Sequence, residues 1–296
     1  MRKLFSAAVF VLAAGALAAS AAPITYTELL SRPRPAATVD FSYGREPGQY
    51  GELFLPRGNG PHSVVVMIHG GCWMASLPGV ELMDYIAGDL QARGFAVWNI
   101  EYRRLGAPAG GYPGTFQDVA HGIDALRQLA PKYQLDLKRV VVVGHSAGGH
   151  LALWAAARSR LPKTSALYQS DPLPIAGVVS LSGIGDLQAS RGGGDACGGS
   201  DTIDAIVGAA SPSHPDVYAD TSPASLVPIG VKQIVVTGSL DRLVPAIFAH
   251  GYADKATAAG DDVQLLEISG AGHFELIDPA SQAWQRIAPA IAALAK

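Results

Sequence analysis

The sequence predicts an α/β fold, a mostly parallel sheet with helices on both faces and an antiparallel strand pair at its N-terminal edge. Three observations carry that reading. Apolar runs such as Ser63-Val-Val-Val-Met-Ile68 and Arg139-Val-Val-Val-Val143 lack polar alternation, as strands buried on both faces require. Segments with apolar residues three and four apart lie between such runs, and strands alternating with helices pair in parallel through right-handed crossovers. The chain of 296 residues, 49% hydrophobic, is long enough for one large domain with a well-buried core.

The elements follow in order. Residues 1–21 open with Arg2 and Lys3, run apolar and end at Ala19-Ser20-Ala21, the pattern of a secretory signal peptide, with a retained N-terminal anchor as the alternative. Cleavage there leaves a single domain of residues 22–296 and implies an exported protein, periplasmic or secreted. It removes two cations and moves the net charge from −3 to −5. Residues 22–36 read as an extended lead-in. Val39–Tyr43 and Gln49–Leu55 read as an antiparallel hairpin. After the strand 63–68 come a helix over 78–92, with Leu82, Ile86 and Leu90 on one face, and a strand over 95–102. A helix over 115–133 carries Phe116, Val119, Ile123, Leu126 and Leu129. The strand 139–143, a helix over 147–159 and a strand over 174–181 come next. Strand 232–237, helix 245–259, strand 262–268 and helix 279–294 close the chain. Residues 183–230 break the rhythm. They are rich in glycine and proline and too long for a plain connection, which predicts a cap over the strand ends.

Ligands of open α/β sheets bind beyond the carboxyl ends of the strands. At one such end, Gly144-His145-Ser146-Ala147-Gly148 lies between a strand and a helix, the setting of a G-x-S-x-G nucleophile elbow with Ser146 at its apex. After the first buried strand comes His69-Gly70-Gly71-Cys72-Trp73. Its glycines let the Gly70 and Gly71 N–H groups turn toward a developing oxyanion, with the Ala147 N–H completing the hole. Asp241 follows strand 232–237, and His273 follows the last strand on a glycine-rich loop. The order Ser146, Asp241, His273 is the order of an acyl-transfer triad on this kind of sheet. Asp186 is the rival acid, while Asp278 sits close to the closing helix. His69 reads as a loop brace, His150 as a packing residue, and Arg103 with Arg104 as a solvated or salt-bridged pair. Trp73, Tyr102 and Tyr112 follow strand ends, and each either lines the substrate pocket or belongs to the aromatic core.

These motifs, together with Glu101-Tyr-Arg103, Val244-Pro245 and Ser222-Pro223, resemble the α/β-hydrolases of the esterase/lipase group. Within it they are most similar to the kynurenine-formamidase-like and feruloyl/acetyl-xylan-esterase-like (BD-FAE) branch. The likeness covers residues 38–294, although the glycine-rich stretch 191–200 fits no pattern of the branch. The resemblance implies an α/β-hydrolase fold and a serine hydrolase cleaving carboxylic esters through an acyl-enzyme. The same triad serves C–N hydrolysis, so an arylformamidase, amidase or peptidase is the alternative, and the leader argues against a cytosolic formamidase.

Composition narrows the partners. The two cysteines, Cys72 and Cys197, in an exported chain form either one disulfide or two free thiols. A net acidic chain offers no electrostatic basis for binding nucleic acid or an anionic membrane. No stretch after the leader approaches the length of a membrane span. The sequence holds no zinc pattern, no H-E-x-x-H and no phosphate loop, so neither metal nor organic cofactor is expected. The expected partner is a small-molecule ester, and the oligomeric state is left open.

Overall fold

The computed structural model describes residues 22–192 and 196–296, and the predicted leader at 1–21 lies outside the described residues. Helix α1 (Tyr26–Leu30) leads into β1 (Val39–Ser42), β2 (Tyr50–Phe54) and β3 (His62–Ile68). Then follow α2 (Asp84–Ala92), β4 (Ala96–Ile100), α3 (Gly114–Asp124), α4 (Leu126–Tyr133), β5 (Leu135–His145), α5 (Ala147–Ala157) and β6 (Gly177–Leu181). The chain ends with α6 (Leu187–Ser190), α7 (Gly199–Val207), β7 (Lys232–Gly238), α8 (Ala246–Ala258), β8 (Val263–Ile268) and α9 (Gln282–Leu294).

The described strands build one eight-stranded sheet in the order β1-β2-β4-β3-β5-β6-β7-β8. β1 pairs antiparallel with β2, Val39 opposite Leu53, and β2 pairs antiparallel with β4. Every later pair is parallel. This is the α/β-hydrolase fold.

The unbroken apolar runs are explained by helices on both faces. Val64, Val66 and Ile68 of β3 and Val140 and Val142 of β5 pack into a core layer with α3, α4, α5 and α8. Their neighbours Val65, Met67, Val141 and Val143 face the opposite layer, with α2 and α9. Successive strand residues point to opposite faces, so both sets must be apolar.

Four local departures from the sequence reading have physical causes. Residues 22–36 are not wholly extended: Thr25 accepts the Glu28 N–H, and Glu28 reaches back to the Thr25 N–H, a capping box that starts α1. The helix expected over 78–92 begins as a 3₁₀ turn at Val80–Leu82, and α2 proper starts at Asp84. The helix expected over 115–133 divides at Ala125, and α4 carries Pro131, which supplies no backbone donor. β5 starts four residues early, at Leu135. Its register against β3 shifts between Ser63 and Val64, and Asp136 turns the bulge by accepting the Lys138 N–H at 2.9 Å.

Candidate active site

The predicted loops meet at the carboxyl edge of the sheet. Ile68 of β3 pairs with Gly144 of β5, and Gly238 of β7 with Ile268 of β8, which sets the ends of these strands in register. Ser146 sits between β5 and α5 at φ 55° and ψ −120°. Such a backbone costs a non-glycine residue about 1–3 kcal/mol and persists where its surroundings impose it. The Leu181 carbonyl accepts the Ser146 N–H at 2.8 Å. A Cβ on Gly144 would strike the Gly148 carbonyl, and one on Gly148 the Ile68 carbonyl. Glycines on both sides are thus required for the elbow to lie against β3.

His273 Nδ1 donates to Asp241 Oδ2 at 2.7 Å, with both side chains buried. The other Asp241 oxygen accepts the N–H groups of Leu243 and Val244, each at 2.9 Å. Burial alone would raise the Asp241 carboxyl. The His273 hydrogen bond and charge, with the Val244 N–H, outweigh it and hold the carboxyl below the usual range. With Nδ1 committed to Asp241, Nε2 is the nitrogen left to exchange a proton. Ser146 and His273 line one largely apolar cavity of about 160 Å³ with Tyr26, Leu77, Leu243 and Phe274. Beside the elbow, His145 Nε2 donates to the His273 carbonyl at 3.1 Å. Burial, and then the neighbouring His273, push His145 well below its usual pKa and keep it neutral.

The loop 69–73 passes directly over the elbow. A Cβ on Gly70 would come within 3.0 Å of the Ser146 Cβ, and Gly71 takes φ 95°. Among the described residues neither the Gly70 nor the Gly71 N–H has a hydrogen-bond acceptor. Beneath the loop, the His69 ring lies between the Gly70 carbonyl at 2.7 Å and the Glu101 carboxylate at 2.9 Å. Arg104 pairs with Glu101 at 3.2 Å. Burial would raise the Glu101 carboxyl, but His69 and Arg104 together hold it below its ordinary value.

Cys72 and Cys197 form a disulfide with Cα atoms 5.3 Å apart, which joins loop 69–73 to segment 183–230. Both cysteines line the Ser146 cavity. Trp73 is buried and walls a second space of about 40 Å³ with Ile184, Thr202, Ile203 and Phe248.

Of the two readings open for the other aromatic candidates, the cavity lining includes neither Tyr102 nor Tyr112. Tyr102 is a core residue: its ring stacks on His69 at 4.4 Å and its hydroxyl donates to the His69 carbonyl at 2.9 Å. Tyr112 stacks on His214 at 4.2 Å and donates to Asp220 at 3.3 Å. Neither lines the Ser146 cavity, because each ring is held by a polar partner elsewhere. Asp186 is engaged otherwise, capping α6 through the Ala189 N–H at 3.0 Å and accepting Lys255 at 3.1 Å. Asp278 pairs with Arg32 at 2.5 Å. His150 donates to the Thr221 carbonyl at 2.9 Å and meets Trp73 and Phe116 edge-on; burial lowers its pKa to about 4. Arg103 grips Asp118 with two nitrogens, at 2.6 and 2.7 Å. Leu243, Phe274 and Tyr26 line the cavity without having been singled out from sequence. The capping-box spacing Thr25-x-x-Glu28 was the one signal that α1 existed.

Solved structures share this architecture. Esterase B from Lactobacillus rhamnosis superposes with a TM-score of 0.73 at 17% identity, covering 91% of this chain and 90% of that one. A truncated carbohydrate esterase from gut microbiota gives 0.70 at 20% identity, covering 89% and 99%. In sequence, the chain is 28% identical to esterase LipC of Mycobacterium tuberculosis over 80% of its own length. It spans 60% of the length of that relative. The BD-FAE family model matches residues 52–254, from the second strand through the loop of Asp241 and into α8, and the chain belongs to the BD-FAE family.

Proposed function

We propose that this protein is an exported serine hydrolase that cleaves carboxylic esters through an acyl-enzyme. The observation that carries the reading is the convergence of Ser146 with an Asp241-oriented His273 on one apolar cavity. Ser146 Oγ attacks the ester carbonyl while His273 Nε2 takes its proton, and Asp241 holds the ring and stabilises the imidazolium that forms. The N–H groups of Gly70, Gly71 and Ala147 receive the oxyanion, each donor contributing roughly 3 kcal/mol to the transition state. His273 then passes the proton to the leaving alcohol. Water, deprotonated by the same nitrogen, attacks the acyl carbonyl and frees Ser146.

The esterases and carbohydrate esterase to which the chain is similar support the ester as substrate class. The leader-like residues 1–21 and the Cys72–Cys197 bond support export, since disulfides persist in oxidising compartments. The test is Ser146→Ala on a short p-nitrophenyl ester, with a fluorophosphonate label as second readout. A fall in kcat of about 10⁵–10⁶-fold and loss of labelling are expected. Full turnover by Ser146→Ala would overturn the assignment.

A further inference from the structure

Residues 22–26 lie against the cavity of Ser146 and His273. Tyr26, on α1, lines the cavity that Ser146 and His273 share. Ala22 to Thr25 wall an adjoining open groove of about 450 Å³, which also touches His273 and Phe274. Tyr26 is 41% exposed, and its edge meets the Phe274 ring at 5.9 Å. Among the described residues its hydroxyl makes no hydrogen bond, so what it offers the cavity is an aromatic surface.

One carboxylate fastens this segment to the histidine loop. Glu275 accepts the Ile24 N–H at 2.6 Å with one oxygen and the Gly272 N–H at 3.0 Å with the other. Pro23 fills the space where a Cβ on Gly272 would lie, 2.5 Å away. From these contacts we infer that Tyr26 is a substrate-contacting residue that binds an apolar or aromatic group of the ester. Glu275 is the positioning residue that holds the strap of residues 22–26 against the His273 loop. Tyr26 and Phe274 present two rings at an angle of 64° on one side of the cavity, a surface suited to a flat or aliphatic group rather than a charged one.

The inference rests on Ser146 being the nucleophile, and the two fail separately. Turnover of p-nitrophenyl butyrate by the intact chain, and its loss in Ser146→Ala, tests that foundation. Tyr26→Ala tests this inference. It should raise KM for the same ester roughly fivefold to tenfold, the range of one lost aromatic contact, while kcat changes less than about twofold. Tyr26→Phe should recover most of the lost affinity. Glu275→Ala should raise KM in the same direction, and Glu275→Gln, which keeps one acceptor, should recover part of it. An unchanged KM in Tyr26→Ala, or a loss confined to kcat, would overturn the inference. The unfolding midpoint of each variant, measured alongside, shows whether a change in KM belongs to the site or to the fold.

Discussion

Among the described residues two buried histidine–aspartate pairs occur, and they share the bond but not its surroundings. His273 donates to Asp241 at 2.7 Å and His214 to Asp220 at 2.8 Å. The imidazoles are 6% and 11% exposed, so burial does not separate the pairs. Their surroundings do. The second oxygen of Asp241 takes two backbone N–H groups, and His273 lines the cavity of Ser146. The second oxygen of Asp220 takes the hydroxyls of Ser165 and Tyr112, and the His214 ring is stacked beneath Tyr112. The other His214 nitrogen is buried and has no partner among the described residues. A hydrogen-bonded imidazole acts as a base where its free nitrogen meets a cavity and a nucleophile; elsewhere the same bond fastens loops. Asp220 also lies where its carbonyl accepts the Trp154 indole at 2.8 Å, tying segment 183–230 to α5.

Neutralising each aspartate separates the roles of the two pairs. Asp241→Asn should lower kcat by about 10⁴-fold, since the imidazole loses both its orientation and the charge that stabilises its protonated form. Asp220→Asn should leave kcat within about twofold and lower unfolding free energy by about 1–3 kcal/mol, the cost of weakening a buried polar cluster. Steady-state kinetics and urea unfolding of both variants make the check. Comparable losses of kcat in the two would end the distinction.

The Ser146 cavity has a covalent wall that the Asp220 cluster lacks. Cys72 and Trp73 are held at φ 53° and 56°, directly after Gly70 and Gly71, and the bond to Cys197 pins that conformation to segment 183–230. Reduction, or Cys197→Ala, frees a loop of 125 residues and should cost about 2–4 kcal/mol of stability. Release of the strained backbone should also lower kcat, by about tenfold or more, as the oxyanion donors lose their placement. Ester turnover measured before reduction, after it and after reoxidation, with circular dichroism as a check on the fold, reads both effects. A kcat unaffected by reduction would mean that Gly70 and Gly71 are placed by the His69–Glu101 network alone.

These contrasts also mark what could be seen in the residues beforehand. The strands were legible because a run such as Val140–Val143 must be apolar on both faces, and the meeting of Ser146, Asp241 and His273 because each follows a strand end. Asp220 and His214 carry no such signal: they sit in a proline-rich segment, and their meeting with Ser165 and Tyr112 is set by tertiary packing. The same holds for Tyr102, whose position after β4 resembles that of a pocket residue but whose hydroxyl is taken by the His69 carbonyl. Tyr26 was hidden for a different reason. Five residues of helix give too short a period to read, and its neighbour Phe274 lies 248 positions along the chain.

The smallest effect belongs to Asp186, which has the position of a catalytic acid and the contacts of a helix cap. It follows β6 as Asp241 follows β7, yet its Oδ1 is bound to the Ala189 N–H and its Oδ2 faces Lys255. Half of the Lys255 side chain is exposed, so the ion pair contributes little, within about 1 kcal/mol. Asn caps helices as well as Asp does, so Asp186→Asn should change stability by less than about 1 kcal/mol. Asp186→Ala removes the cap as well and should cost about 1 kcal/mol more. Neither should lower kcat more than about twofold, because among the described residues no histidine nitrogen bonds to this carboxylate. Should Asp186→Asn abolish ester hydrolysis while Asp241→Asn spares it, the catalytic acid is the one after β6, and the short bond between His273 and Asp241 is structural after all.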